Sequence, residues 1–151
     1  MKNVRFKFLI FFLITASFLH AQSSGSGTLE IRFTGIKSDK GQIAIGINNA
    51  PDGWPRQPQL NAKWKKENMK AGVFVRRLED LPYGTYAISV LDDENCSLEM
   101  DMFLGIPKEG YGFSMNPPFK PSAPGFDECS FRLDKPFQQI TIDIRYIGKG
   151  K

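Results

Sequence analysis

Apolar and polar residues alternate with a period of two in several parts of this chain. Residues 28–36, 42–48 and 139–146 each place leucine, isoleucine or phenylalanine at alternate positions. A half-buried β-strand has this pattern because its successive side chains point to opposite faces of the sheet. Residues 78–114 join a turn, a strand, a group of carboxylates and an aromatic segment, with no helical period. The pattern predicts an all-β sandwich with an elaborated loop at one end.

Short polar segments separate the predicted strands. The turn KSDKG at residues 37–41 predicts that residues 28–36 and 42–48 form an antiparallel hairpin. Residues 49–70 contain three prolines and one glycine and predict a short helix or an extended arm. The other predicted strands are residues 72–78, 85–91, 128–133 and 139–146.

The N-terminus has the composition of a secretory signal peptide. Three basic residues precede an apolar run at residues 8–19. That run is too short for a spanning helix, which needs about 20 apolar residues, although an uncleaved anchor is the alternative. We predict a signal peptide at residues 1–21, a flexible linker at 22–27, a sandwich domain at 28–147 and a tail at 148–151. After cleavage no transmembrane segment is expected, and the chain is exported to the periplasm or beyond.

Removal of the signal peptide changes the charge and the available chemistry. The whole chain has 20 basic and 16 acidic side chains, and 17 basic ones remain after cleavage. A nearly neutral chain lacks the positive field on which nucleic-acid binding depends, so no nucleic-acid partner is expected. The only histidine, His20, also lies in the signal peptide. Without histidine the mature chain has no Ser-His-Asp catalysis, and we predict that it is not an enzyme.

The two cysteines, Cys96 and Cys129, predict a disulfide bond. They are even in number in a chain that is expected to be exported. A bridge across their 33-residue separation would contribute about 3–4 kcal/mol in the chain-entropy model. The alternative is two independent small residues.

Two sequence blocks resemble a known family. LEDLPYGTYAISVLDDEN at residues 78–95 and DMFLGIPKEGYGFS at residues 101–114 are similar to the signature of the exported bacterial family called domain of unknown function 2141 (DUF2141). The likeness covers roughly residues 29–147. It implies one Ig-like or transthyretin-like antiparallel β-sandwich of about seven strands with a long aromatic loop, and no established activity.

The resemblance also implies a candidate calcium site. The acidic loop of the family places its oxygen donors at Asp93, Asn95, Ser97 and Asp101 of this chain. Alternating oxygen donors suit Ca²⁺, which takes six to eight of them. Leu98 stands where the family has the glycine of the turn, and this departure weakens the match. The alternatives are a solvated loop held by its own hydrogen bonds, or a loop held through Cys96. No other cofactor is expected.

Aromatic side chains mark the candidate binding surface. Trp54, Phe103, Tyr111 and Phe113 are the candidate ligand contacts, with burial in the core or at the end of the sandwich as the alternative. We expect a non-catalytic module that binds a small ligand, a glycan or an envelope protein through loops at one end. The alternatives are a hydrolase that uses carboxylates such as Asp93 and Asp101, or a calcium-stabilised structural component of the cell envelope.

Overall fold

A computed structural model describes residues 25–147. The predicted signal peptide, the first half of the predicted linker and the C-terminal tail lie outside the described residues. Within residues 25–147 the chain forms ten strands and one short helix: β1 (Ser26–Thr34), β2 (Gln42–Asn48), β3 (Leu60–Lys65), β4 (Phe74–Pro82), β5 (Gly84–Asp93), β6 (Met102–Phe103), β7 (Ile106–Pro107), β8 (Gly110–Phe113), α1 (Phe126–Cys129), β9 (Phe131–Leu133) and β10 (Phe137–Asp143).

The strands form two larger sheets and one small hairpin. The first sheet has the order β10-β1-β4, and the second has the order β3-β2-β5-β8, with β9 paired to the start of β5. Strands β6 and β7 pair only with each other. The all-β fold class is therefore confirmed. One pair departs from the antiparallel expectation, because β1 and β10 run parallel.

The predicted hairpin between the first two strands is wrong. Strand β1 pairs with β4 and β10, whereas β2 pairs with β3 and β5 in the other sheet. The connecting segment crosses the core because Ile36 is buried in it and its N–H donates to the carbonyl of Gly72. Gly35 allows this path with a φ of 75°, and a Cβ there would meet the carbonyl oxygen of Ile144 at 2.8 Å. The alternation identified both strands correctly but contained no information about their partners.

Phe33 lies at the centre of the core between the two sheets. Its side chain is fully buried and its ring centroid lies 6.4 Å from that of Trp64 and 6.3 Å from that of Phe74. Trp64 belongs to β3, so the segment that predicted a helix or an arm supplies an edge strand instead. The inward side chains of β1 and β2 pack in the same cluster and join the two sheets into one core.

The turn before β5 also crosses between the sheets. Only Tyr83 separates β4 from β5, and the Leu81 side chain is buried. The Tyr83 N–H donates to the carbonyl of Gly25 at 2.8 Å. This contact holds the N-terminus against β4, and β1 begins at Ser26 inside the predicted linker.

Two further segments differ from the expected secondary structure. The first residues of the predicted strand 128–133 belong to helix α1, and only Phe131–Leu133 form a strand. The long aromatic segment contains the hairpin β6–β7 and strand β8 instead of one continuous loop. Strand β8 extends the second sheet and brings part of the aromatic segment to its surface.

Candidate ligand-binding cleft

Small side chains occupy the centre of the outer face of the second sheet. The register pairs Gly46 with Ser89 and Ala44 with Leu91, and the isoleucines of β2 face the core. These four residues therefore share the face opposite the core. A Cβ on Gly46 would meet the Pro58 ring at 2.9 Å, so the close approach of this proline requires glycine. The small residues form the floor of a depression.

Strand β8 places two aromatic side chains beside this floor. Tyr111 pairs with Leu91 and Phe113 with Ser89 in the β5–β8 ladder. Their ring centroids lie 6.0 Å apart in an edge-on arrangement. Burial raises the pKa of Tyr111, and the charge of Arg145 partly opposes this effect. The phenol therefore stays neutral and presents an apolar ring with a polar tip.

A proline-rich segment, residues 117–124, forms the opposite wall. It contains Pro117, Pro118, Pro121 and Pro124. At one end the Arg145 Nη1 donates to the carbonyl of Pro117 at 2.9 Å, and at the other the Trp54 Nε1 donates to the carbonyl of Pro124 at 2.9 Å. Proline fixes φ, so a segment held at both ends has little conformational freedom left to lose. The wall is therefore held in place by hydrogen bonds within the protein.

The floor, the aromatic side chains and residues 117–124 enclose a cleft, named here the outer-face cleft, of about 1060 Å³. Ligand sites in proteins commonly have volumes of about 300–1,000 Å³, so the space suits an elongated or drug-sized molecule. Leu98, Met100 and Met102 also line the cleft. The acidic loop and the β6–β7 hairpin thus contribute apolar atoms to the same cleft.

The charged side chains of the outer-face cleft are mostly cationic. They are Arg56, Lys63, Lys120, Arg145 and Asp143. Lys120 is paired with Glu128 at 2.5 Å, and Arg145 donates to backbone carbonyls. Among residues 25–147, neither Arg56 nor Lys63 makes a salt bridge. Two cations are therefore available to an anionic group.

The structure brings together three of the four predicted aromatic contacts. Tyr111 and Phe113 line the outer-face cleft, and Trp54 lies behind Phe113 with ring centroids 5.9 Å apart. Trp54 supports the wall through its bond to Pro124. Phe103 lies apart on the β6–β7 hairpin with 63% of its surface exposed, beside a smaller depression of about 450 Å³. Burial, the alternative expected for these aromatic side chains, is therefore wrong for Phe103.

Asp93 organises the acidic loop through hydrogen bonds. Its buried carboxylate accepts from the Ser97 N–H and the Leu98 N–H, each at 3.0 Å, and from the Gln42 Nε2 at 2.7 Å. Leu98 has a φ of 65°, so it adopts the left-handed conformation that glycine would adopt more easily. The turn keeps its shape without the glycine.

The predicted calcium ligands bond to one another and to the backbone. Asn95 accepts from the Ser97 N–H and donates its amide to Asp101 at 3.0 Å. The Asp93 oxygens face N–H donors, as described above. Across residues 25–147 the structure contains no group of three histidine, cysteine or carboxylate side chains that is placed to hold a metal ion.

Sequence reasoning misses Glu109, which joins the two ends of the acidic loop. Its carboxylate is buried and accepts from the Glu94 N–H at 3.1 Å and from the Asp101 N–H at 3.3 Å. Burial raises the pKa of Glu109, and the two N–H donors oppose this effect. The position follows the tight segment after β7, and nothing in the local pattern distinguishes it from a solvated glutamate.

The expected disulfide bond between Cys96 and Cys129 is absent, and both described cysteines are free. Ser114 Oγ accepts from the Ile88 N–H and donates to the carbonyl of Cys129, which places Cys129 near the middle of β5. Cys96 lies just beyond the C-terminal end of β5, at Asp93. Five residues of strand separate Ile88 from Asp93, a distance of about 16 Å, whereas the Cα atoms of bridged cysteines lie within about 7 Å. Burial raises the pKa of Cys129 to about 11, so its thiol stays protonated.

A sequence comparison decides the family. The model of the family described as "Uncharacterized protein conserved in bacteria (DUF2141)" matches residues 31–141 of the 151-residue chain. The chain belongs to this family. In this DUF2141 chain, the matched range contains the floor, the aromatic side chains and the proline-rich wall of the outer-face cleft. The recognition made from residues 78–95 and 101–114 is therefore confirmed.

The other comparisons add no relatives to the DUF2141 chain. Neither the curated proteins nor the solved structures contain a match. Within residues 25–147 no helix has the length and apolar character that a membrane crossing requires.

Proposed function

We propose that this DUF2141 chain is an exported, non-catalytic binding module. Its outer-face cleft takes an elongated apolar or aromatic ligand that carries an anionic group. The observation that carries the proposal is the cleft itself: about 1060 Å³ of space on a sheet face, with a wall already fixed at both ends. A preformed site avoids the ordering cost that a flexible loop would impose on binding.

The floor and the aromatic side chains favour an apolar ligand body. Ala44, Gly46 and Ser89 allow a ligand to lie close to the sheet, and Tyr111 and Phe113 offer ring surface beside it. A ligand in this position would remove apolar area from water at about 25 cal/mol per Å². Such a surface suits an acyl chain or an aromatic ring system better than a highly hydroxylated sugar.

The unpaired cations favour an anionic group on the ligand. Arg56 and Lys63 line the cleft without a carboxylate partner among the described residues. A carboxylate, sulfonate or phosphate near them would gain a charge-assisted hydrogen bond. A small anionic amphiphile fits this combination better than a large envelope protein does, because the cleft is enclosed on two sides.

A carboxylate hydrolase has less support from the geometry. Asp93 bonds to three N–H donors, and Asp101 accepts from the amide of Asn95. Hydrolytic carboxylate pairs need an acid and a base that both face the same substrate. Asp93 and Asp101 instead make hydrogen bonds within and beside the acidic loop.

Titration with anilinonaphthalene sulfonate, an aromatic anion whose fluorescence rises in apolar surroundings, tests the proposed function. We expect saturable binding, and we expect Lys63→Glu to weaken it about fivefold to tenfold through loss of attraction and new repulsion. Lys65→Glu is the matched control, because Lys65 lies on the same face of β3 but not in the cleft. Ala44→Trp should fill the floor and abolish binding, whereas Thr85→Trp on exposed β5 surface should not.

Two results would contradict the proposed function. Equal affinities of the Lys63→Glu and Lys65→Glu variants for the probe would show that the probe does not bind beside the cations of the cleft. Undiminished binding in Ala44→Trp would place the probe on another apolar surface.

A further inference from the structure

Lys66 and Asp92 form a buried pair between the two sheets. Both side chains have no solvent exposure, and the Lys66 Nζ lies 2.5 Å from the Asp92 Oδ1. The Tyr146 hydroxyl donates to the other oxygen, Asp92 Oδ2, and accepts from the Lys37 N–H. The Lys66 Nζ also donates to the carbonyl of Ser38 at 2.9 Å. The amine and the carboxyl group are thus in direct contact without water between them.

The strand register brings the two residues together. Ile43 of β2 pairs with Trp64 on one side and with Asp92 on the other, so Trp64 and Asp92 face the core two strands apart. Lys66 lies two residues after Trp64, beyond the end of β3, and its long side chain reaches the Asp92 carboxylate on the core side of β2. Asp92 belongs to β5, and the Lys66 N–H donates to the carbonyl of Gly41 at 3.2 Å, so both backbone positions are held in place.

Asp92 is bonded differently from its neighbour Asp93. Asp93 receives two backbone N–H groups and an amide, a donor set typical of a stable buried carboxylate. Asp92 contacts an amine and a phenol instead. A buried ion pair carries a desolvation cost for each charge, and loss of both charges would remove that cost.

We propose that Lys66 and Asp92 react with each other to form an intramolecular amide bond. Proton transfer from the Lys66 ammonium to the Asp92 carboxylate gives a neutral amine and a neutral acid. The Nζ lone pair then forms a bond to the Asp92 Cγ, and one Asp92 oxygen departs as water. An ammonium and a carboxylate thereby become one secondary amide and one water molecule, with no change in total charge and no oxidant or reductant.

Tyr146 is the catalytic residue of this step. Its hydroxyl contacts Asp92 Oδ2, where negative charge develops as the nitrogen attacks, and it is a donor for the departing oxygen. Burial and the adjacent Asp92 raise the pKa of Tyr146, so the phenol keeps its proton. Fixed contact between reacting groups provides effective molarities of about 10⁵–10⁸ M, which favours closure inside a dry core.

The amide bond would join the end of β3 to the end of β5 across β2. It would supply the covalent link that the sequence led us to expect from Cys96 and Cys129, at a different place and by a different reaction. The bond does not depend on the proposed ligand, since Lys66 and Asp92 lie on the core side of the sheet and the cleft lies on the outer face.

Intact-mass measurement of the purified full chain tests this proposal. We expect a mass lower than that of the sequence by one water molecule, and a tryptic digest in which residues 66–70 are joined to residues 78–108. Lys66→Arg keeps the positive charge but lacks a primary amine, and it should show the full mass. Tyr146→Phe should close at least about tenfold more slowly, as expected for loss of a proton donor.

The wild-type mass is decisive even where a variant fails to fold. An unreduced mass would overturn the proposal. A lost water in Lys66→Arg, or a joined peptide without Lys66 and Asp92, would overturn it as well. Closure of Tyr146→Phe at the wild-type rate would overturn the role of Tyr146.

Discussion

Replacement of Phe33 by alanine is expected to lower the free energy of unfolding by about 3–5 kcal/mol. Phe33 is fully buried and its ring packs against Trp64 of the second sheet and Phe74 of the first. The strands on both sides are fixed by their ladders, so the site has little ability to collapse around the missing ring. Urea denaturation followed by intrinsic fluorescence measures the difference.

Phe137→Ala is the matched control for this substitution. Phe137 belongs to the same sheet but is 52% exposed, with the Arg77 guanidinium 5.8 Å from its ring centroid. We expect its loss to cost less than about 1 kcal/mol. Similar losses in the two variants would mean that the sheets do not share the core around Phe33.

Replacement of Asp93 by alanine is expected to lower the free energy of unfolding by about 3 kcal/mol. The carboxylate accepts from two backbone N–H groups and from the Gln42 side chain, and hydrogen bonds to charged groups contribute about 1.5–3 kcal/mol each before relaxation. The N–H groups of Ser97 and Leu98 should then exchange with solvent faster than in the wild-type chain. Hydrogen exchange measured by NMR detects this local opening separately from global unfolding.

Asp39→Ala is the control for Asp93→Ala. Asp39 is an exposed loop carboxylate, and we expect its loss to change stability by less than about 0.5 kcal/mol. A calcium-dependent rise in the unfolding midpoint of the wild-type chain that disappears in Asp93→Ala would contradict the assignment. Asp93 would then act as a metal ligand instead of an acceptor for the turn.

The sequence predicts the strands better than it predicts their partners. Strand β2 has the expected bounds and β1 shifts by two residues, because alternation reports which face of a strand is buried. The partners depend on long-range packing, such as Ile36 entering the core and turning the expected hairpin into a crossing between sheets. Period-two alternation gives no information about such long-range contacts.

The candidate site follows from the sequence only in part. Tyr111 and Phe113 are recognisable as aromatic candidates, but the depression beside them depends on Ala44 and Gly46, whose small size has no meaning until the register is known. Glu109 and Lys66 look like ordinary surface residues in the sequence, and both are buried. The predicted disulfide is incorrect because an even number of cysteines and an expected export do not determine how far apart the two cysteines lie along β5.

An apolar probe has at least two surfaces to occupy, the outer-face cleft and the β6–β7 hairpin. The hairpin exposes Phe103 and Leu104, the latter at 86%. The cleft differs from it in being concave and lined by two unpaired cations. A measurement that locates a bound aromatic anion therefore distinguishes the proposed site from non-specific apolar association.

Backbone amide NMR during titration with anilinonaphthalene sulfonate tests the binding proposal most directly. We predict saturable shifts at Ala44, Gly46 and Gly112 on the floor and aromatic side of the cleft, with little change at Leu104. Shifts confined to residues 102–107, with the amides of the floor unmoved at saturation, would contradict the assignment of the outer-face cleft as the binding site.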